Sequence, residues 1–166
     1  MPTLTYHNAL LHDALLKRAY EDPDRVAIVF ENRSLTFADL DIESNRLAHG
    51  LRALGLKSED RLGIFMTNCP EVEIAFYAAS KLGAVACPLN SAYRERVVTY
   101  QLNSAGARML ITHAKLWPVV EATLPGLMAP ITIILVGDEA PDSARNIIGY
   151  GDVVEGQSGE RFRSAG

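Results

Sequence analysis

Cysteine is scarce: Cys69 and Cys87 are the only two in 166 residues, with no CxxC pair. That excludes a disulfide framework and leaves two unlinked thiols in a reducing compartment. An excess of positive charge is missing too, since 16 Lys and Arg face 20 Asp and Glu for a net charge of −4. No stretch gathers the cations into a groove-sized patch, so no nucleic-acid partner is expected. No apolar run approaches the length that spans a bilayer, and the N-terminal MPTLTYHNALL lacks the basic region of a signal peptide. The expectation is a cytoplasmic chain without a membrane span. What is present, 48% hydrophobic and 22% charged residues, excludes disorder, collagen and coiled coil and fits one domain of ordinary size.

Periodicity then supplies the elements. Leu11, Leu15, Leu16 and Ala19 recur at helical spacing between Asn8 and Tyr20 and stop at Pro23. Val26–Phe30, a polar Glu31-Asn32-Arg33 turn and Ser34-Leu35-Thr36 read as a β-hairpin. Thr36 followed by Asp39 is a capping pair, and the helix it opens sets Phe37, Leu40, Leu47, Leu51 and Leu54 on one stripe, with Asp41, Glu43 and Arg46 off it, up to Gly55. From residue 61 the pattern alternates: strand 61–66, a helix from Pro70 with Ile74, Ala75, Ala78, Ala79 and Leu82 inward, strand 84–89, helix 94–104, strand 108–112, helix 115–124, strand 131–136. This βα rhythm predicts a mainly parallel sheet with helices on both faces and right-handed crossovers. After Gly137 the chain turns acidic at Asp138–Asp142 and then Gly-rich, so residues 1–137 read as one α/β unit and 138–166 as linker.

Chemistry is harder to find. No GxxxxGK[ST] exists, and Gly149-Tyr150-Gly151 meets Val154 where a dinucleotide fingerprint requires glycine. His7, His12, His49 and His113 stand at no metal-ligand spacing, so no metal site is expected and they read as solvated or helix-capping residues. Cys69, just before a helix start, could be an activated thiol, but no partner is evident and a structural thiol is the expectation. Ser158 lacks the glycine of a nucleophile elbow. No catalytic residue is assigned. A ligand edge is expected at Thr67–Pro70 and Leu89–Tyr93, where two strands end.

The order of short motifs carries more information. Ser34-Leu35-Thr36-Phe37-Ala38-Asp39-Leu40, Asn45-Arg46-Leu47-Ala48, Gly55-Leu56 with Asp60-Arg61-Leu62-Gly63, and Asn68-Cys69-Pro70-Glu71 follow one another at characteristic spacing. Ser80-Lys81-Leu82-Gly83-Ala84-Val85, Pro88-Leu89-Asn90 and Ser104-Ala105-Gly106-Ala107-Arg108 continue the series. From about His7 to Val136 this resembles the N-terminal region of the adenylate-forming (AMP-binding) ligases: acyl-CoA synthetases, peptide-synthetase adenylation domains and luciferases. Ser58-Glu59 departs from the family's usual Pro-Gly, in a turn.

The resemblance implies a fragment of an ATP-dependent acyl-CoA synthetase of the fatty or aromatic acid type. The full-length enzyme would use ATP, Mg²⁺ and CoA to turn a carboxylic or fatty acid into its acyl-CoA through an acyl-adenylate, with AMP and pyrophosphate released. The family's Ser/Thr/Gly-rich phosphate loop and its later motifs do not occur in these 166 residues, so the chain is expected to be inactive alone and to bind none of these cofactors tightly. In CoA ligases the loop after the second sheet strand lies near the approach route of CoA; the matching positions are Asn90, Ser91 and Ala92. The rival expectation is a free-standing binding module of the same fold without catalysis. Surface left uncovered by a missing half would favour self-association.

Overall fold

The computed structural model describes residues 10–137 and 147–162. Along the chain these form α1 (Leu11–Glu21), β1 (Val26–Phe30), β2 (Arg33–Thr36), α2 (Phe37–Ala53), β3 (Arg61–Phe65), α3 (Pro70–Leu82) and β4 (Val85–Pro88). Then come α4 (Glu95–Ala105), β5 (Met109–His113), α5 (Trp117–Thr123), β6 (Thr132–Val136), β7 (Ile147–Gly149) and α6 (Tyr150–Val154). Asn8, where the first helix is expected to begin, His7 and the acidic 138–142 stretch lie outside the described residues.

Local chemistry explains most boundaries. β1 and β2 pair antiparallel with Phe30 opposite Arg33, leaving a two-residue turn. At the start of α2 the Asp39 N–H donates to Thr36 Oγ1 at 3.1 Å, and the Thr36 N–H donates back to Asp39 Oδ2 at 2.9 Å, so two donors without helical partners are satisfied. Pro70 opens α3, where its missing N–H costs nothing, and Gly83 at φ 71° closes it in the left-handed conformation.

The main sheet has the order β4-β3-β5-β6-β7, and every pair is parallel. Alternation along the buried strands builds two cores. Leu62 and Ile64 of β3 pack with Met109, Ile111 and Ile134 against α2 and α3. Phe65 packs on the opposite face with Leu110 and Ile133 against Val98, Leu102 and Val120 of α4 and α5. Gly63, between these layers, lets α4 approach: a Cβ there would stand 2.9 Å from Leu110 Cδ1 and 3.0 Å from Leu102 Cδ2. The chain steps from β3 outward to β4 and then crosses to β5 on the other side, so the strand order reverses next to β3. Ligands of open α/β sheets bind at the carboxyl ends beside such a reversal.

Two expectations are corrected. Of the apolar residues that recur at helical spacing in the first helix, and so are expected to share one stripe, Leu11 is 52% exposed; only Leu15 of α1 is buried. The segment read as linker is folded over residues 147–162: β7 pairs with β6 through Ile133 and Ile147, α6 follows, and Val153 and Phe162 are buried. A three-residue strand and a five-residue helix are too short to show a period of their own. Their burial comes from α2, where Gly50 allows α6 to lie so close that a Cβ would run into the carbonyl oxygen of Val153.

Candidate functional site

At the carboxyl ends of β3 and β4 the surface opens into a cleft of about 350 Å³ lined by Ile64, Met66, Asn68, Val72, Pro88, Leu89, Asn90 and Ser91. Ile64 and Met66 form its floor because β3 runs into it, and Val72 enters from the first turn of α3. Asn68, Asn90 and Ser91 come from the two stretches expected to form the ligand edge. The Ala92 N–H donates to Asn90 Oδ1 at 2.9 Å, a local turn in which the Asn side chain stands in for a backbone acceptor. Among the described residues no hydrogen-bond partner occupies the Asn68 side chain, Asn90 Nδ2 or Ser91 Oγ, so an apolar floor faces uncommitted amide and hydroxyl groups. Asn90 and Ser91 are thus brought into one site, while Ala92 is exposed and contributes backbone. Ile64 and Val72 belong to the site without any signal in the sequence beyond their place on core-facing elements.

No side chain in this lining carries a charge. A triphosphate with its metal requires cations and carboxylates at close range. Among the described residues no group of three or more His, Cys, Asp and Glu is gathered anywhere. The cleft therefore does not fit ATP with Mg²⁺. An uncharged lining with amide and hydroxyl groups over an apolar floor suits a neutral ligand, and the volume lies in the lower range of small-molecule sites. The next cations along the chain, Arg94 and Arg96, are exposed and lie outside the lining.

Cys69 caps α3 next to this cleft, but burial, and after it the Glu71 carboxylate, pushes its thiol up to about 11. At pH 8 about one thiol in a thousand is then ionised, the opposite of an activated nucleophile. Alkylation of a Cys87→Ser variant by iodoacetamide should accelerate with each pH unit without levelling until about pH 11. A plateau below pH 8 would show that the thiol is activated after all. The histidines do not converge. His113 Nδ1 accepts the Lys115 N–H at 3.3 Å, capping a short 3₁₀ turn, as expected of a capping histidine. His12 Nδ1 meets Ser80 Oγ at 2.9 Å, and burial lowers its pKa. His49 meets the Phe162 ring at a tilt of 60°, with ring centroids 4.9 Å apart.

Two polar clusters went unread in the sequence. Arg33 donates to Glu43 Oε2 at 2.8 Å and to Glu71 Oε1 at 2.7 Å, tying the hairpin to α2 and α3. Burial, followed by the charges of Glu71 and Glu43, pushes the nearby Tyr150 phenol up. The second cluster surrounds Lys81, whose ammonium lies 2.7 Å from Asp41 Oδ1. Burial lowers its pKa, and the hydrogen bond and charge of Asp41 work in the other direction.

Comparison with known proteins agrees with this architecture. The family model described as AMP-binding enzyme matches residues 15–156. Phosphinothricin tripeptide synthetase PhsC of Streptomyces viridochromogenes is 33% identical over 140 residues, covering 83% of this chain and 12% of that protein. A 3-hydroxybenzoate–CoA/4-hydroxybenzoate–CoA ligase of Thauera aromatica is 31% identical over 135 residues, 81% of this chain and 25% of that protein. The crystal structure of an anthranilate CoA ligase in complex with anthranoyl-AMP superposes with a TM-score of 0.88 at 22% identity, covering 95% of this chain and 30% of that one, a likeness of fold. The chain thus spans a quarter or less of these two sequence relatives. No helix among the described residues is long and apolar enough to cross a membrane. With a family model matched over most of its length, on a doubly wound sheet of the same fold, this chain belongs to the AMP-binding enzymes, the adenylate-forming ligase family of acyl-CoA ligases and peptide-synthetase adenylation domains.

Proposed function

We propose that this chain is the N-terminal subdomain of an ATP-dependent acyl-CoA synthetase, that it supplies the cleft for the pantetheine arm of the acceptor thiol, and that it is inactive by itself. The chemistry behind the assignment is simple. A carboxylate is a poor electrophile and needs a good leaving group, which adenylation provides; a thiol then attacks the acyl carbon and displaces AMP. ATP and Mg²⁺ would supply that activation in the complete enzyme, from residues other than those described. What this chain's own groups can do is bind and orient the thiol carrier. The single observation carrying the proposal is the uncharged cleft at the carboxyl ends of β3 and β4, in which Asn68, Asn90 and Ser91 offer amide and hydroxyl partners over an apolar floor. The CoA ligases among the relatives and structural neighbours favour the same reading. A peptide-synthetase adenylation domain is the second reading, favoured by the 33% identity to a tripeptide synthetase. It uses the same cleft, because its carrier arm has the same amide chemistry.

Pantetheine titrated into the ¹⁵N-labelled chain should give saturable shifts at the amides of Asn68, Leu89, Asn90 and Ser91, with a dissociation constant of about 1 mM, typical of a small flexible ligand. ATP should leave those amides unmoved. Shifts confined to the second groove, beside Cys87 and Tyr100, or no shifts at all, would remove the cleft from the proposal.

A further inference from the structure

Lys81 is the most fully enclosed charged group described, with 6% of its surface exposed. Its ammonium reaches four acceptors: Asp41 Oδ1 at 2.7 Å, Asp41 O at 3.0 Å, Ser44 Oγ at 2.8 Å and Asn45 Oδ1 at 2.7 Å. If the only purpose were to join α3 to α2, an apolar side chain would do so without desolvating a charge, and buried ion pairs are often no better than hydrophobic replacements. The arrangement makes sense through Asn45. That side chain also donates from Nδ2 to Asp41 Oδ2 at 3.2 Å and to the Gly159 carbonyl at 3.1 Å, while its Oδ1 accepts the Phe162 N–H at 3.3 Å. Both donors and both acceptor positions of the amide are then in use. The Lys81 ammonium holds Oδ1 in the orientation that the Phe162 N–H also requires, with Nδ2 turned to Asp41 and Gly159.

The segment held in this way runs along one face of α2. Gly159 lies so near the helix that a Cβ would be 2.9 Å from Ile42 Cγ2. Further along, the Phe162 ring packs on His49 and receives the Arg52 guanidinium 4.6 Å from its centroid. Ile42, Asn45, His49 and Arg52 succeed one another at helical spacing. Asn45 makes the side-chain hydrogen bonds to the main chain of this strap at both Gly159 and Phe162.

We propose that Lys81 is a positioning residue that acts through Asn45 to dock the strap Gly156–Phe162 on α2, so that a buried charge in α3 sets the path of the chain after α6. The inference stands on these contacts and is independent of which thiol or acid the family member uses. Its readout is the strap itself. Arg161 is exposed while Phe162 beside it is buried, so trypsin cleavage of the Arg161–Phe162 bond and hydrogen exchange of the Phe162 amide both report release.

In Lys81→Met and in Asn45→Ala both rates should rise by about tenfold or more, as expected for loss of the hydrogen bonds that hold a local segment, while core amides of β3 and β5 stay within about twofold of the parent chain. Should Lys81→Met fail to fold, Lys81→Gln, which keeps a donor and loses the charge, is measured in the same way. A strap that stays protected within about twofold in the folded Lys81 variant, whatever Asn45→Ala does, overturns the proposal and reduces Lys81 to a link between two helices.

Discussion

Phe65→Ala is expected to weaken the fold by about 3–5 kcal/mol, the range for deleting a buried aromatic ring. Phe65 lies on β3, flanked by β4 and β5, and none of its surface is exposed. It is the largest side chain of the core beneath α4 and α5, a cluster of nine buried residues that holds those helices to the sheet. The surrounding Leu110, Val98 and Leu102 are anchored on regular elements, so they cannot collapse into the space, and a cavity remains. Domains are stable by about 5–15 kcal/mol, so this one change consumes a large share. Urea denaturation should show the midpoint falling with little change of slope. Val29→Ala, at a position 71% exposed on the hairpin, should stay within about 0.5 kcal/mol of the parent chain and serves as the control. A loss below about 1 kcal/mol for Phe65→Ala would mean that the second core is not packed as described.

What could be read in advance, and what could not, follows from the range of each signal. The cap at Thr36 and Asp39 and the stop at Gly83 are local, because the chemistry that makes them lies within three residues. The buried strands were legible because β3, β5 and β6 are covered on both faces and read as short apolar runs. The strand ends then located the cleft through a general rule about parallel sheets. Lys81 was hidden by its own charge. It stands seven residues after Ile74 and three after Ala78, on the inward stripe of α3, just as Ser44 stands four after Leu40 on that of α2. Polar residues at inward positions on two neighbouring helices are the signature of a buried polar pair, and that pattern could have revealed it. The fold of residues 147–162 carries no such sign. It depends on a contact across about a hundred residues, between Gly50 and Val153, which no local pattern encodes.

The resemblance rests on the order of short motifs and not on any one of them. It pointed to the adenylate-forming family, which the family match shows. The finer assignment, to a CoA ligase in preference to a peptide synthetase, belongs to the proposal: the cleft serves both readings, relatives of both kinds match, and the CoA ligases among the structural neighbours favour the first. Asn90 and Ser91 enter that proposal as binding groups, and Ala92 through its backbone alone.

The second large effect concerns activity. Adenylation moves AMP onto a carboxylate while negative charge builds on the departing pyrophosphate, and catalysis depends almost wholly on positioned positive charge. The uncharged cleft cannot provide it, and no phosphate loop occurs in the sequence. The most direct measurement is pyrophosphate release by the 166-residue chain with Mg²⁺, ATP and a panel of fatty, aromatic and amino acids. No acid-dependent release above the protein-free background is the result the account predicts. Acid-dependent release that persists through repurification, and that is lost in a cleft variant such as Asn68→Ala, would contradict it and place the phosphate grip within these residues.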